Sequence, residues 1–266
     1  MTFLANKKVN RLIEDYSKML YEAQNSKVPI GQISIIDPSL TIEDAYKIQM
    51  INIERRLSNG EVICGKKIGL TSLAMQNMLG VSQPDYGHLF KGMEIKDNLI
   101  PTDSLLQPKI EAEVAFVLKN DLKGPNVTVN DVLDATDYVV AAFEIVDSRV
   151  KDWKINIIDT VADNASSGCY CLGSKKLKVS EISLPEIEMS LYKDGKFVNS
   201  GTGKDVLGDP AYCVAWLANK MSEFGVTLYS GEVVLSGALS AAPIAKKGDK
   251  FEARFSHLGN ITAKFV

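Results

Sequence analysis

The stretch Ile110-Glu111-Ala112-Glu113-Val114-Ala115-Phe116-Val117-Leu118 decides how this chain is read. It is strongly apolar apart from its two glutamates, and it reads as a strand. Side chains alternate faces along a strand, so Glu111 and Glu113 share one face, about 6.6–7 Å apart. Ala112, Val114, Phe116 and Leu118 take the other face. The glutamate face continues as Ala115 and Val117, where a solvated face would continue with polar residues. Carboxylates beside buried surface need a counter-charge, because burying them unpaired is costly. Glu144 repeats the pattern as a single carboxylate inside the apolar run Ala141-Ala142-Phe143-Glu144-Ile145-Val146.

Three converging carboxylates suit a hard divalent cation. Mg²⁺ fits because it keeps waters that substrate oxygens can replace, and Mn²⁺ fits as well. Spacing alone leaves a second reading open, in which each glutamate pairs with a Lys or Arg at the strand edge. Nothing in the spacing forces Glu144 to meet Glu111 and Glu113.

Composition narrows the chemistry. The chain has 266 residues, 45% of them hydrophobic, enough for one large domain or two unequal ones and too apolar for a disordered chain. Thirty basic against 33 acidic residues give a net charge of −3, which offers no electrostatic ground for a nucleic-acid or anionic-membrane partner. Only His88 and His257 are present, so chemistry built on several histidines is excluded. Cys64, Cys169, Cys171 and Cys213 form no Cys-x-x-Cys pair, which argues for reduced thiols in a cytoplasmic protein and against a zinc site. No stretch approaches the roughly 18–20 apolar residues of a membrane span, and residues 1–24 lack the apolar core of a secretion signal.

The flanking sequence predicts helix over Phe3 to Gln24, with Leu4, Val9, Leu12, Ile13, Met19 and Leu20 on one face. A second helix is expected from an N-cap at Thr41, with Asp44 completing a capping box, to Asn59-Gly60. Val62 to Cys64 and Lys67 to Leu70 read as strand, Ser72 to Leu79 as a short capped helix, and Asn130 to Tyr138 as helix. Val139 to Val146 is a strand, and Met189 to Val198 a hairpin turning at Asp194-Gly195. Asp209-Pro210 opens a long helix that Gly225 ends, and short strands fill the tail. The sum is a helical N-terminal segment followed by a mostly antiparallel β domain with inserted helices, an α+β chain.

Other polar segments carry candidate chemistry. Gly65-Lys66-Lys67-Ile68-Gly69-Leu70-Thr71 offers two lysines on opposite faces of a strand, so at most one points inward. Gln83-Pro84-Asp85-Tyr86-Gly87 is a turn whose Asp85 is either a site residue or a turn former. Asp159 through Gly168 is dense in small polar residues, and Ser236-Gly237-Ala238-Leu239 allows close backbone approach. Gly201-Thr202-Gly203-Lys204 is not a phosphate-binding loop, because the upstream glycine is absent. There is no nucleophile elbow for a serine hydrolase.

Taken in order, these segments resemble a known family. The carriers are Gly65 to Ser72, Gln83 to Gly87, Gln107-Pro108-Lys109-Ile110-Glu111-Ala112-Glu113, Glu144-Ile145-Val146-Asp147-Ser148-Arg149, Asp152-Trp153, Asp159 to Gly168, Trp216 to Lys220 and Ser236 to Leu239. The chain resembles the 2-oxopent-4-enoate (2-hydroxypenta-2,4-dienoate) hydratases of bacterial aromatic meta-cleavage pathways. These belong with the 4-oxalocrotonate decarboxylases in the fumarylacetoacetate hydrolase superfamily.

The resemblance implies a distorted β-roll or barrel over residues 63–266 behind a smaller helical region, residues 1–62. It implies that Glu111, Glu113 and Glu144 bind one Mg²⁺ or Mn²⁺, that Lys67 is the active-site lysine with Lys66 its outward neighbour, and that Asp85 lines the site. Substrate contacts are implied for Asp159, Asn164, Ser166, Ser236, Gly237 and Ala238. The implied reaction adds water at C4 of a small 2-hydroxydienoate to give 4-hydroxy-2-oxopentanoate, with Lys67 and Asp85 transferring protons. Decarboxylation of 4-oxalocrotonate and hydration of a longer 2-oxo-enedioate stay open, and Asp85 favours the hydratase. Implied partners are further copies of the chain, as a pentamer or decamer, and a related decarboxylase or downstream aldolase.

Overall fold

Thr41 accepts the Asp44 N–H at 3.2 Å while Asp44 accepts the Thr41 N–H, so the expected capping box starts a helix. The computed structural model describes residues 2–266, with side chains from Arg11 onward except those of Met78 and Leu79. The inward positions expected at Leu4 and Val9 therefore lie outside the described side chains.

In chain order the elements are α1 (Thr2–Ser26), α2 (Ile33–Ile36), α3 (Ile42–Ser58), β1 (Ile63–Gly69), α4 (Leu73–Leu79), β2 (Asp85–Phe90), β3 (Leu99–Ile100) and β4 (Pro108–Leu118). Then follow α5 (Val129–Ala135), β5 (Thr136–Asp147), α6 (Ile157–Ala162), β6 (Ser167–Leu172), β7 (Glu188–Lys193), β8 (Lys196–Thr202), α7 (Pro210–Ser222), β9 (Val233–Ala238), β10 (Lys250–Phe255) and β11 (Gly259–Phe265). The fold is α+β, with two sheets ordered β2-β1-β9-β4-β5-β6 and β3-β11-β10-β7-β8.

Most strand pairs are antiparallel, as expected, but β1 runs parallel to β9 and β3 parallel to β11. The helix expected over Asn130 to Tyr138 is shorter. It is capped by Thr128 and stops at Ala135, and β5 already begins at Thr136, where the β-branched and aromatic run Thr136 to Val140 prefers extended backbone. Short α2 lies in the segment expected to be only turn-rich. The hairpin turns at Asp194 (φ 51°) and Gly195 (φ 76°), the paired positive angles that suit a tight two-residue connection. Asp209 accepts the Ala211 N–H at 2.8 Å, and α7 buries Val214, Leu217, Ala218 and Met221.

One apolar cluster joins the sheets and the N-terminal helices. It contains Ile13, Tyr16 and Leu20 of α1, Ala45 and Ile48 of α3, Phe116 and Phe143 of the larger sheet, and Phe251 and Phe265 of the smaller. A second cluster takes the glutamate side of β4, where Ala115 packs with Leu235, Val140 and Ala142. This cluster accounts for the apolar continuation of that face beyond Glu113. No helix among the described residues is long and apolar enough to cross a membrane.

Candidate active site

Adjacent strands β4 and β5 bring the three glutamates together. Glu111 stands directly opposite Glu144 in the antiparallel ladder, and Glu113 opposes Ala238 on the other neighbour, β9. One carboxylate oxygen from each of Glu111, Glu113 and Glu144 lies within 4.8 Å of the others. Glu113 and Glu144 are buried. Glu113 Oε2 accepts the Gly237 N–H at 2.8 Å. Only glycine suits position 237, because its φ is +116° and a Cβ would lie 2.1 Å from Thr71 Oγ1.

Lys67 reaches the same point from β1. Its Nζ donates to the Ala165 carbonyl at 3.1 Å and lies 3.4 Å from Glu144 Oε1, an ion-pair distance rather than a well-formed hydrogen bond. Asp85 opens β2 opposite Gly69, and its Oδ2 accepts the Thr160 hydroxyl at 3.1 Å. Close approach explains Gly69: a Cβ there would sit 2.2 Å from Asp85 Oδ1 and 3.3 Å from Lys67 Nζ. A cavity of about 610 Å³ opens onto these groups, lined among others by Lys67, Asp85, Glu111, Thr160, Ser166 and Ala238.

The electrostatics call for a further cation. Burial pulls the Lys67 ammonium down, but Glu144, Glu111, Asp85 and Glu113 outweigh that and hold it above the usual lysine range. Burial, then the charges of Glu144 and Glu111, push Glu113 well above the carboxylate range, and burial likewise raises Glu111, Glu144 and Asp85 against the pull of Lys67. Lys67, with Lys109 pulling on Glu111 as well, does not neutralise four carboxylates. Glu113 Oε1, both Glu144 oxygens and Asp85 Oδ1 are buried without a hydrogen-bond partner. Buried polar atoms are rarely left so. An all-oxygen set with unengaged lone pairs fits a hard divalent ion.

Lys66 corrects an expectation. Strand alternation does send it to the face opposite Lys67, but that face is covered too, and Lys66 is buried in an ion pair with Glu232 at 3.1 Å. The other implied contacts divide. Ser166 and Ala238 line the cavity. Asp159 faces α2 instead, accepting from the Ser34 N–H and hydroxyl and from the Asn156 N–H. Asn164 is engaged by both backbone groups of His88, and the Ser236 hydroxyl by the Val114 carbonyl. Gly237 contributes through its N–H to Glu113.

Thr160 and Trp153 lie in segments that carry the resemblance, yet the sequence assigns neither a site role. Asp159 is the more conspicuous residue, but consecutive helical residues point about 100° apart, and Thr160 is the one that lines the cavity. Trp153 lines the cavity and is held by its Nε1 donating to the Gln107 carbonyl at 2.8 Å, with Lys109 Nζ 4.1 Å from its ring centroid. Lys109 shares the Glu111 face at i−2, which was the available signal.

An α+β sheet pair carrying a carboxylate triad, two of its members buried, opposite a strand lysine marks a class. Residues 92–266 match the fumarylacetoacetate (FAA) hydrolase C-terminal family, and the chain belongs to that family. Within it, the chain is 45% identical over 253 residues to a 2-keto-4-pentenoate hydratase of Paraburkholderia xenovorans LB400, covering 95% of this chain and 94% of the relative. It is 43% identical over 259 residues to the 2-hydroxyhexa-2,4-dienoate hydratase of Comamonas testosteroni, covering 96% and 98%. Among solved structures, the 4-oxalocrotonate decarboxylase from Pseudomonas putida G7, complexed with magnesium and adipate, superposes with a TM-score of 0.93 at 34% identity, over 97% of this chain and 98% of that one.

Proposed function

We propose that this chain is a divalent-metal-dependent hydro-lyase that adds water to 2-hydroxypenta-2,4-dienoate (2-oxopent-4-enoate), giving 4-hydroxy-2-oxopentanoate. The observation that carries the reading is the meeting of Glu111, Glu113 and Glu144 with Lys67 and Asp85 in one cavity. The names of the hydratase relatives support the substrate class. The magnesium in the decarboxylase structure supports Mg²⁺, with Mn²⁺ as the equivalent hard ion.

Glu111, Glu113 and Glu144 would hold the ion. When bound, it would supply a Lewis acid for the substrate's carboxylate and 2-oxygen. The proton of the 2-hydroxyl passes to C5, which becomes the methyl group, and the resulting conjugated 2-oxo-3-enoate is electrophilic at C4. Lys67 is held as an ammonium by its carboxylate neighbours, so it is the proton donor, toward C3. Asp85 keeps Oδ1 unengaged while Thr160 fixes Oδ2, so it is the acceptor for the proton of the water adding at C4. Return of that proton from Asp85 to Lys67 resets both groups. Ser166 and Ala238 complete the wall that orients the substrate. Residues 63–266 carry the chemistry, and residues 1–62 support it through α2 and α3, where Gln49 donates to the Tyr86 and Val161 carbonyls at 3.1 and 2.8 Å.

The test is ultraviolet absorbance of the dienol with Mg²⁺ or Mn²⁺, run beside 4-oxalocrotonate. Loss of the dienoate band with formation of 4-hydroxy-2-oxopentanoate supports the reading. Release of CO₂ from 4-oxalocrotonate, with the dienoate untouched, makes the chain a decarboxylase instead.

A further inference from the structure

Asn164, Ala165 and Ser166 all carry left-handed backbone, with φ of 54°, 50° and 51°. Three successive non-glycine residues in that region persist only where their surroundings over-determine them. The surroundings here begin with Arg149, a buried residue with no part in the chemistry above. Its Nε donates to Asp163 Oδ1, its Nη2 to the Asp163 carbonyl at 2.6 Å and its Nη1 to the Ser167 carbonyl at 2.8 Å. Its backbone N–H donates to Asp163 Oδ2 at 3.0 Å. One guanidinium thus ties both ends of the turn.

From the side, the Asn164 amide closes on His88, accepting its N–H at 2.7 Å and donating to its carbonyl at 3.0 Å. This anchors the turn to β2, the strand that begins with Asp85. The turn stands between two cavities: Ala165 and Ser166 line the one holding Lys67, while Arg149, Asp163 and Asn164 line one of about 170 Å³ behind it. What the turn delivers forward is the Ala165 carbonyl, 3.1 Å from Lys67 Nζ.

We propose that Arg149 is a positioning residue: through the strained turn at 164–166 it fixes the Ala165 carbonyl that aims the Lys67 ammonium. The kinetic test of this rests on the hydratase reading; the structural test does not.

Two variants decide it. Ala165→Gly relieves the left-handed strain while freeing the backbone. It should melt at or above the wild-type temperature, yet lose about tenfold or more in kcat with KM within about twofold, because a misplaced group costs rate rather than affinity. Arg149→Lys keeps the charge but cannot tie both ends, and should show the same kcat loss with unchanged Mn²⁺ affinity. If Arg149→Lys does not fold, Ala165→Gly decides alone.

A higher melting temperature with unchanged kcat in Ala165→Gly would make the turn merely structural and overturn the proposal. An inactive wild type would instead count against the hydratase reading. The proposal is then judged by amide hydrogen exchange over residues 163–168, expected about tenfold faster in Ala165→Gly than in wild type, and equal protection would overturn it.

Discussion

Glu111 and Glu144 are direct partners across the antiparallel β4–β5 ladder, so two carboxylates distant in sequence are fixed side by side by backbone hydrogen bonding. Like charges directly opposite on a sheet destabilise it. Glu113 stands beside them, and Lys67, with Lys109 acting on Glu111, offsets only part of this charge.

Divalent metal should stabilise the fold. Removing it with EDTA should lower Tm, and Mg²⁺ at about 100 times its Kd should restore about 2.7 kcal/mol. Burial and mutual repulsion raise the ligand carboxyls, so protons compete with the ion and the stabilisation weakens on acidification. Thermal scans with and without Mg²⁺ at two pH values check this; identical curves would count against a metal at the triad.

Gly69→Ala should cost activity without unfolding the chain. The added Cβ meets the Asp85 carboxylate and Lys67 Nζ rather than the backbone, so these side chains give way. A kcat loss of about tenfold or more is expected, with circular dichroism unchanged. Full activity would mean that the placement of Asp85 is not critical.

Lys67→Met and Asp85→Asn should each lower kcat by about 10²-fold or more while leaving KM nearly unchanged. The double variant should lose little more than either single one, since the two groups exchange one proton. Steady-state kinetics on the dienoate reads this directly, and multiplicative losses would separate their roles.

His88 should weaken the fold in acid. Burial, then the Lys66 charge, push its imidazole down to about 3 from 6.5. Above pH 6.5 it is neutral whether folded or unfolded. Below that the unfolded chain takes a proton that the folded one refuses, so stability falls with pH, by about 2 kcal/mol at pH 5. In His88→Gln the Tm deficit seen at pH 7.5 should shrink or reverse at pH 5. Parallel Tm–pH curves would contradict this.

What was legible in the sequence was local. Thr41 with Asp44, Asp209 with Pro210 and Asp194 with Gly195 each satisfy their own backbone within a few residues, and each element formed where expected. Alternation along β4 also put Glu111 and Glu113 on one face. Distant contacts decided the rest. Whether Lys66 faced water depended on Glu232 at the far end of the chain, and Asp159 was claimed by Ser34 rather than by the cavity. The meeting of Glu144 with Glu111 depended on register, which spacing did not contain. The resemblance supplied that meeting, and the ladder accounts for it physically.

The most direct measurement is Mn²⁺ binding and dienoate turnover followed together in wild type and Glu111→Gln. One ion per chain and metal-dependent turnover are expected in the wild type. At least about tenfold weaker binding and abolished turnover are expected in the variant. Full turnover in Glu111→Gln at unchanged Mn²⁺ affinity would contradict a metal at the triad.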